Sequence, residues 1–261
     1  KHDCEILLSH ALSKNSAWLI AHSDSALTGE QKTRFQSYIE RRSKGEPVAY
    51  IIGHRAFWKH NFHVSPDVLI PRPETELLVE LALETAANLA PTVSQLKIAD
   101  LGTGSGAIAV SLANELAHAD IVAADASEAA LTIARANSRL VGATNIEFVL
   151  SDWFSSLAGY CFNIIVSNPP YVAEKDPHLE QGDLRFEPRC ALTAGADGLN
   201  DIRQIVKNAK QHLFKNGYLF IEHAYDQGDA VRTLFADAGL CNINTHHDLL
   251  SLERVTCGQT P

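Results

Sequence analysis

Methionine is absent from all 261 residues and the chain begins at Lys1, so we expect the natural start and a short N-terminal segment to be missing. Cysteine is sparse and scattered. The five, at positions 4, 161, 190, 241 and 257, are odd in number and never spaced Cys-x-x-Cys, which argues against a disulfide framework and a zinc knuckle. No uninterrupted apolar run approaches the ~18 residues of a membrane span, and Lys1-His2-Asp3-Cys4-Glu5 does not begin a signal peptide. A cytoplasmic protein without membrane association is expected. Positive charge is also short: 22 Lys and Arg face 31 Asp and Glu, for a net charge of −9 and a pI near 5.7. Gripping a phosphate backbone relies on cationic side chains that release counterions, so direct nucleic-acid binding is not expected. His60 with His63, and His246 with His247, lack a third ligand at supporting spacing, and no metal is expected.

What is present reads as a globular chain, 46% hydrophobic and 20% charged, large enough for a catalytic domain with a small appendage. Residues 1–45 carry apolar positions at helical spacing, including Ile6, Leu7, Ala11 and Leu12. Thr28 with Gln31 forms a capping-box signature for a helix that runs to Arg41-Arg42. Lys44-Gly45-Glu46-Pro47 breaks that pattern. Residues 46–72 read as a linker hairpin built from the apolar pieces Val48 to Ile52 and Phe62 to Val64, with Gly53-His54-Arg55 between them. Residues 73–261 then alternate strand and helix: strands near 96–100, 121–124, 146–150, 162–166, 218–222, 241–245 and 253–257, with helices between most of them. Repeated βα units imply an α/β fold, a mostly parallel sheet with helices on both faces.

Two loops carry the chemistry. Asp100-Leu101-Gly102-Thr103-Gly104-Ser105-Gly106 joins the first of these strands to its helix, where glycine lets backbone approach a ligand at the carboxyl end of the sheet. About 20 residues beyond the loop, Asp125 ends the next strand, placed to accept hydrogen bonds from ribose hydroxyls. A nucleoside-containing ligand is expected. The second loop, Asn168-Pro169-Pro170-Tyr171, follows the β-branched run ending at Val166. Its prolines fix φ and donate no hydrogen bond, which leaves the Asn168 and Pro169 carbonyls available to a ligand.

Gly-x-Gly-x-Gly behind an acid resembles the class I S-adenosylmethionine methyltransferases, and Asn-Pro-Pro-Tyr resembles their branch that methylates planar NH2 groups. The fuller resemblance is to the release factor glutamine methyltransferase family, across nearly the whole chain. It is carried by Gly45-Glu46-Pro47, Ile70-Pro71-Arg72-Pro73-Glu74-Thr75-Glu76, Asp100 to Gly106, Ser151-Asp152-Trp153-Phe154, Asn168 to Tyr171, and Arg185-Phe186-Glu187-Pro188. The resemblance implies a Rossmann-like domain behind a small helical domain that helps grip the substrate. It implies methylation of N5 of the glutamine in the Gly-Gly-Gln motif of class I peptide-chain release factors. The cofactor would be S-adenosyl-L-methionine, held by Asp100, Gly102, Thr103, Gly104, Ser105, Gly106, Asp125, Asp152, Trp153 and Asn168. The substrate glutamine would meet Asn168, Pro169, Pro170 and Tyr171, with Asn168 and Pro169 accepting its N–H bonds and Tyr171 packing on its plane. Ala126 and Ala224 depart from the family's usual residues and touch none of this chemistry. A sister enzyme acting on a ribosomal protein would share both core loops, as would a nucleic-acid amino-methyltransferase, although the latter needs the basic surface that this chain lacks.

Overall fold

The computed structural model describes residues 2–261. Three helices open the chain: α1 (His2–Leu12), α2 (Ser16–Ala21) and α3 (Gly29–Ser43). The Thr28 box closes as its spacing predicts: the Thr28 hydroxyl accepts from Gln31 N at 3.2 Å and the Gln31 side chain accepts from Thr28 N at 3.0 Å, satisfying two otherwise orphaned donors.

The run Val48 to Ile52, expected as a strand, is instead a short helix, α4 (Val48–Ile52). Its β-branched residues lie between Pro47 at the N-cap and Gly53 in the left-handed conformation at the C-cap, the two residues that start and stop a single turn. Winding that turn buries Ala49, Tyr50 and Ile51 and lets the Tyr50 hydroxyl donate to Val68 O at 2.7 Å. The hairpin lies just beyond, as β1 (His54–Phe57) paired antiparallel with β2 (His60–His63).

After a 3-10 turn at Pro73–Thr75 come α5 (Glu76–Leu89), β3 (Lys97–Leu101), α6 (Ala107–Glu115), β4 (Asp120–Asp125), α7 (Glu128–Val141), β5 (Ile146–Leu150) and β6 (Phe162–Ser167). The chain finishes with α8 (Asn200–Ala209), β7 (Leu213–Glu222), α9 (Gly228–Asp237), β8 (Cys241–His247) and β9 (Glu253–Gln259). Seven strands form one sheet in the order β5-β4-β3-β6-β7-β9-β8, with β9 antiparallel to both neighbours and the remaining pairs parallel. Alternation along the strands divides the core. Ile98, Ile121, Ala123, Ile164 and Val166 pack with α5 and α6, whereas Ala99, Leu101, Val122, Ala124 and Ile165 pack with α8 and α9. Each such fully buried branched side chain stabilises the sheet by about 1.5–3 kcal/mol. Among the described residues no helix is long and apolar enough to cross a membrane.

Polar contacts tie the helical N-terminal part and the segment before α5 to the loop over 183–187. Arg42 bridges Asp3 Oδ2 at 2.7 Å and Asp183 Oδ1 at 3.1 Å, and Arg185 donates to Lys44 O at 2.8 Å. Gly45, at φ +93°, lies flat against the Arg185 guanidinium, which would collide with any Cβ there. Glu187, fully buried at its side chain, pairs with Arg72 and accepts from Ile70 N at 3.0 Å. Three of the sequence blocks are therefore one interface: Gly45-Glu46-Pro47 and Ile70 to Glu76 meet Arg185 to Pro188.

Candidate active site

The strand order reverses between β3 and β6, so the loops leaving these two neighbours diverge and open a crevice at their carboxyl ends. A cavity of about 470 Å³ occupies that crevice, within the range of small-molecule sites. Gly102, Thr103, Gly104 and Ser105 form one wall, Asp125, Asp152 and Trp153 a second, and Asn168 with Pro170 a third.

The loop after β3 holds its shape through its own polar atoms. Gly102 N and Thr103 N both donate to Ala124 O, at 2.8 and 3.0 Å, fastening the loop to the end of β4. Asp100 is fully buried beneath it. Its Oδ2 accepts from Thr103 Oγ1 at 2.6 Å and Ala109 N at 3.1 Å, so one carboxylate clamps the loop to the first turns of α6. Burial pushes Asp100 up to about 7, against the pull of those two donors. Asp100 therefore shapes the wall from below and does not line the cavity.

Gly102, Gly104 and Gly106 all take positive φ, at 73°, 55° and 80°. At Gly106 a second constraint applies, because an added Cβ would lie 3.0 Å from Ala134 Cβ of α7. Gly106→Ala combines a left-handed non-glycine residue with overpacking, and we expect it to lose about 2–3 kcal/mol in urea unfolding. Wild-type stability in that variant would show that α7 yields at this contact.

Asp125 ends β4 with its side chain at the cavity. Oδ2 accepts from Gly104 N at 2.8 Å and Oδ1 from Ser127 N at 2.9 Å. Each oxygen keeps a further lone pair, and together they fit a vicinal diol. Burial raises the Asp125 pKa while the backbone donors hold it down. Trp153, at φ +48°, brings its ring edge within 3.3 Å of where a Gly102 Cβ would stand, so it covers the glycine loop as one face of a slot for a planar group. Asp201 of α8 also lines the cavity.

Asn168 follows β6 and is half-buried. Its Nδ2 donates to Thr75 Oγ1 at 3.1 Å, whereas its Oδ1 is buried without a hydrogen-bond partner among the described residues. A buried amide oxygen left bare costs roughly 1–3 kcal/mol, and the residue that carries it is one that lines the cavity. Pro170 lines the cavity but Pro169 is buried and does not. Tyr171 is not brought to the cavity either: its ring packs against the core of the α8–α9 face, and its hydroxyl donates to Glu222 Oε1 at 3.3 Å. It braces the loop from behind.

Comparison with known proteins adds the family. Residues 1–53 match the PrmC N-terminal domain and residues 75–183 the methyltransferase small domain. A release factor glutamine methyltransferase from Xylella fastidiosa strain Temecula1 is 48% identical over 99% of this chain and 93% of its own length. The chain belongs to the release factor glutamine methyltransferase family. Family members of the same name from Pseudomonas aeruginosa and Escherichia coli K12 are 48% and 43% identical, covering 98% and 99% of this chain and 91% and 92% of their own. Solved structures share the fold. A Thermus thermophilus 16S rRNA N2 G1207 methyltransferase, in complex with AdoMet and guanosine, superposes with a TM-score of 0.59 at 20% identity, over 80% of this chain and 51% of its own. A ribosomal protein L11 methylase from Lactobacillus delbrueckii subsp. bulgaricus gives 0.53 at 19% identity, over 73% and 81%.

Thr75, Glu222 and Asp201 join the site's surroundings only in the folded chain. Glu222 was within reach of the general rule that ligand-facing groups gather at the carboxyl ends of parallel strands, since it ends β7 as Asp125 ends β4. Thr75 was visible as part of the proline-bracketed block, but only as the start of a helix.

Proposed function

We propose that this chain transfers a methyl group from S-adenosyl-L-methionine to N5 of the glutamine in the Gly-Gly-Gln motif of class I peptide-chain release factors. The observation that carries it is the unpartnered Oδ1 of Asn168, a residue of the cavity lining, in a chain whose relatives bear that name. A cofactor fits the residues present: Asp125 offers two acceptors for ribose hydroxyls, and Trp153 with the glycine loop makes a flat slot for an adenine. When bound, S-adenosylmethionine supplies a methyl group made electrophilic by a sulfonium. The protein's task is then to aim a weak nucleophile.

An amide nitrogen delocalises its lone pair into the carbonyl. Asn168 Oδ1 takes one of its N–H bonds in this reading, which turns the nitrogen lone pair toward the methyl and favours its pyramidal form. Pro170 forms the adjoining wall. Once methylated, the cationic nitrogen loses its proton readily, so positioning and electrostatics carry most of the rate. Asp100 enters only by shaping the loop, and Asp152 sits at the cavity mouth beside Trp153. We assign residues 1–45 as the helical substrate-recognition domain, 46–72 as the linker and 73–261 as the methyltransferase domain. A release-factor substrate puts the activity in the cytoplasm.

The test incubates the protein with labelled S-adenosylmethionine and, separately, purified release factor, ribosomal protein and DNA, and locates the methyl group by mass spectrometry. Label on the Gly-Gly-Gln glutamine is expected. Label on DNA or the ribosomal protein, with none on the release factor, would sink the reading.

A further inference from the structure

We propose that Thr75 and Glu222 are positioning residues for the transfer, together holding the Asn168 amide in the one orientation that turns Oδ1 toward the substrate nitrogen. This rests on the reading that Asn168 accepts from the substrate amide. The two ends of an asparagine amide are nearly the same size but opposite in polarity. Turned through half a circle, Asn168 would present N–H to N–H, and the substrate would lose its acceptor.

Thr75 Oγ1 lies 3.1 Å from Asn168 Nδ2 and is itself buried. A hydroxyl by itself does not choose, since it can donate to an oxygen or accept from a nitrogen equally well. Glu222 makes the choice. Its carboxylate is fully buried at the end of β7 and, when ionised, only accepts. Oε1 takes the Tyr171 hydroxyl at 3.3 Å, and Oε2 has no formed hydrogen bond among the described residues. After burial itself, Thr75 is the strongest influence on this carboxylate and favours its ionised form. Rotating the Thr75 O–H onto Glu222 leaves only lone pairs facing Asn168. The NH2 end must go there, and Oδ1 is left for the ligand. In this inference the donors run one way, from Asn168 through Thr75 to Glu222, the first step a formed hydrogen bond and the second carried by the influence of Thr75 on the carboxylate.

The same logic gives a pH dependence. Burial pushes Glu222 up to about 7; Arg254 of β9, Thr75 and Tyr171 hold it down, and Glu74 of the 3-10 turn raises it further. Protonated Glu222 can donate to Thr75, which frees the Thr75 proton for Asn168 Oδ1 and favours the wrong orientation. Turnover therefore rises as pH passes upward through about 7 and levels off above.

The experiment measures kcat, the cofactor dissociation constant and the unfolding midpoint for Thr75→Val, Thr75→Ser, Glu222→Gln and Asn168→Ala, using release factor and labelled S-adenosylmethionine. Thr75→Val and Glu222→Gln are expected to lower kcat about tenfold, the scale of one misdirected hydrogen bond, with cofactor affinity unchanged. Thr75→Ser should recover most of the rate, and Glu222→Gln should abolish the acid limb near neutrality. Full activity in Thr75→Val overturns the inference, as does equal impairment of the serine and valine variants. A limb that persists in Glu222→Gln also overturns it, assigning the titration to Asp100, which burial pushes to the same region. If Asn168→Ala is inactive while Thr75→Val is not, only this inference falls. An active Asn168→Ala removes the parent reading instead.

Discussion

Replacing Asn168 by alanine is expected to lower kcat at least ~10²-fold while leaving the dissociation constant for S-adenosylmethionine almost unchanged. The asymmetry follows from geometry. Asn168 Nδ2 is committed to Thr75 at 3.1 Å, and the proposed reading gives the unpartnered Oδ1 to the substrate amide. The proposed reading gives the cofactor's ribose and adenine to other residues of the cavity lining, Asp125 and Trp153. An interaction that matters most as the nitrogen becomes pyramidal is stronger in the transition state than in the ground state, so its loss falls on kcat. Rapid-mixing turnover and equilibrium cofactor titration on the same variant separate the two quantities. Equal losses in cofactor affinity and rate would show that Asn168 serves the cofactor instead.

Asp125→Ala should do the reverse, weakening cofactor binding by about 10- to 100-fold with kcat at saturating cofactor within a few-fold of wild type. The carboxylate receives Gly104 N and Ser127 N and still offers a lone pair on each oxygen, so its removal strips the diol acceptor and leaves two backbone donors without a partner. Because burial raises its pKa, Asp125 should protonate at a higher pH than an ordinary aspartate. Cofactor affinity therefore falls with decreasing pH earlier than a solvent-exposed acid would allow. Calorimetric titration across the acid range checks both points; a variant that binds cofactor normally but turns over slowly would reassign Asp125 to the chemistry.

Much of the scaffold was legible because it rests on local periodicity. The short run Leu96-Lys97-Ile98-Ala99-Asp100 and the capping groups Thr28 and Ser127 are properties of a few consecutive residues, and their elements form where the pattern puts them. The segment Val48 to Ile52 was not legible in the same way. Four β-branched and aromatic residues favour a strand by propensity, and the contact of Tyr50 with Val68, 18 residues on, favours the helical turn between Pro47 and Gly53. Tyr171 shows the same limit at the site. Its place beside Asn168 suggested a substrate contact, but successive side chains in an extended loop point to opposite sides, and a buried carboxylate draws the phenol inward.

The sequence by itself determined the glycine turn with its ribose acid, the rigid Asn168-Pro169-Pro170-Tyr171 loop and the family they belong to, because these are short-range constraints on backbone conformation and on which chemical groups are present. Which partner the Asn168 amide finds is a different kind of fact. It depends on Thr75, 93 residues earlier in the chain. A hydrogen bond between such distant partners exists only once the sheet has brought them together, so the tertiary structure alone decided that Thr75 takes the Nδ2 end.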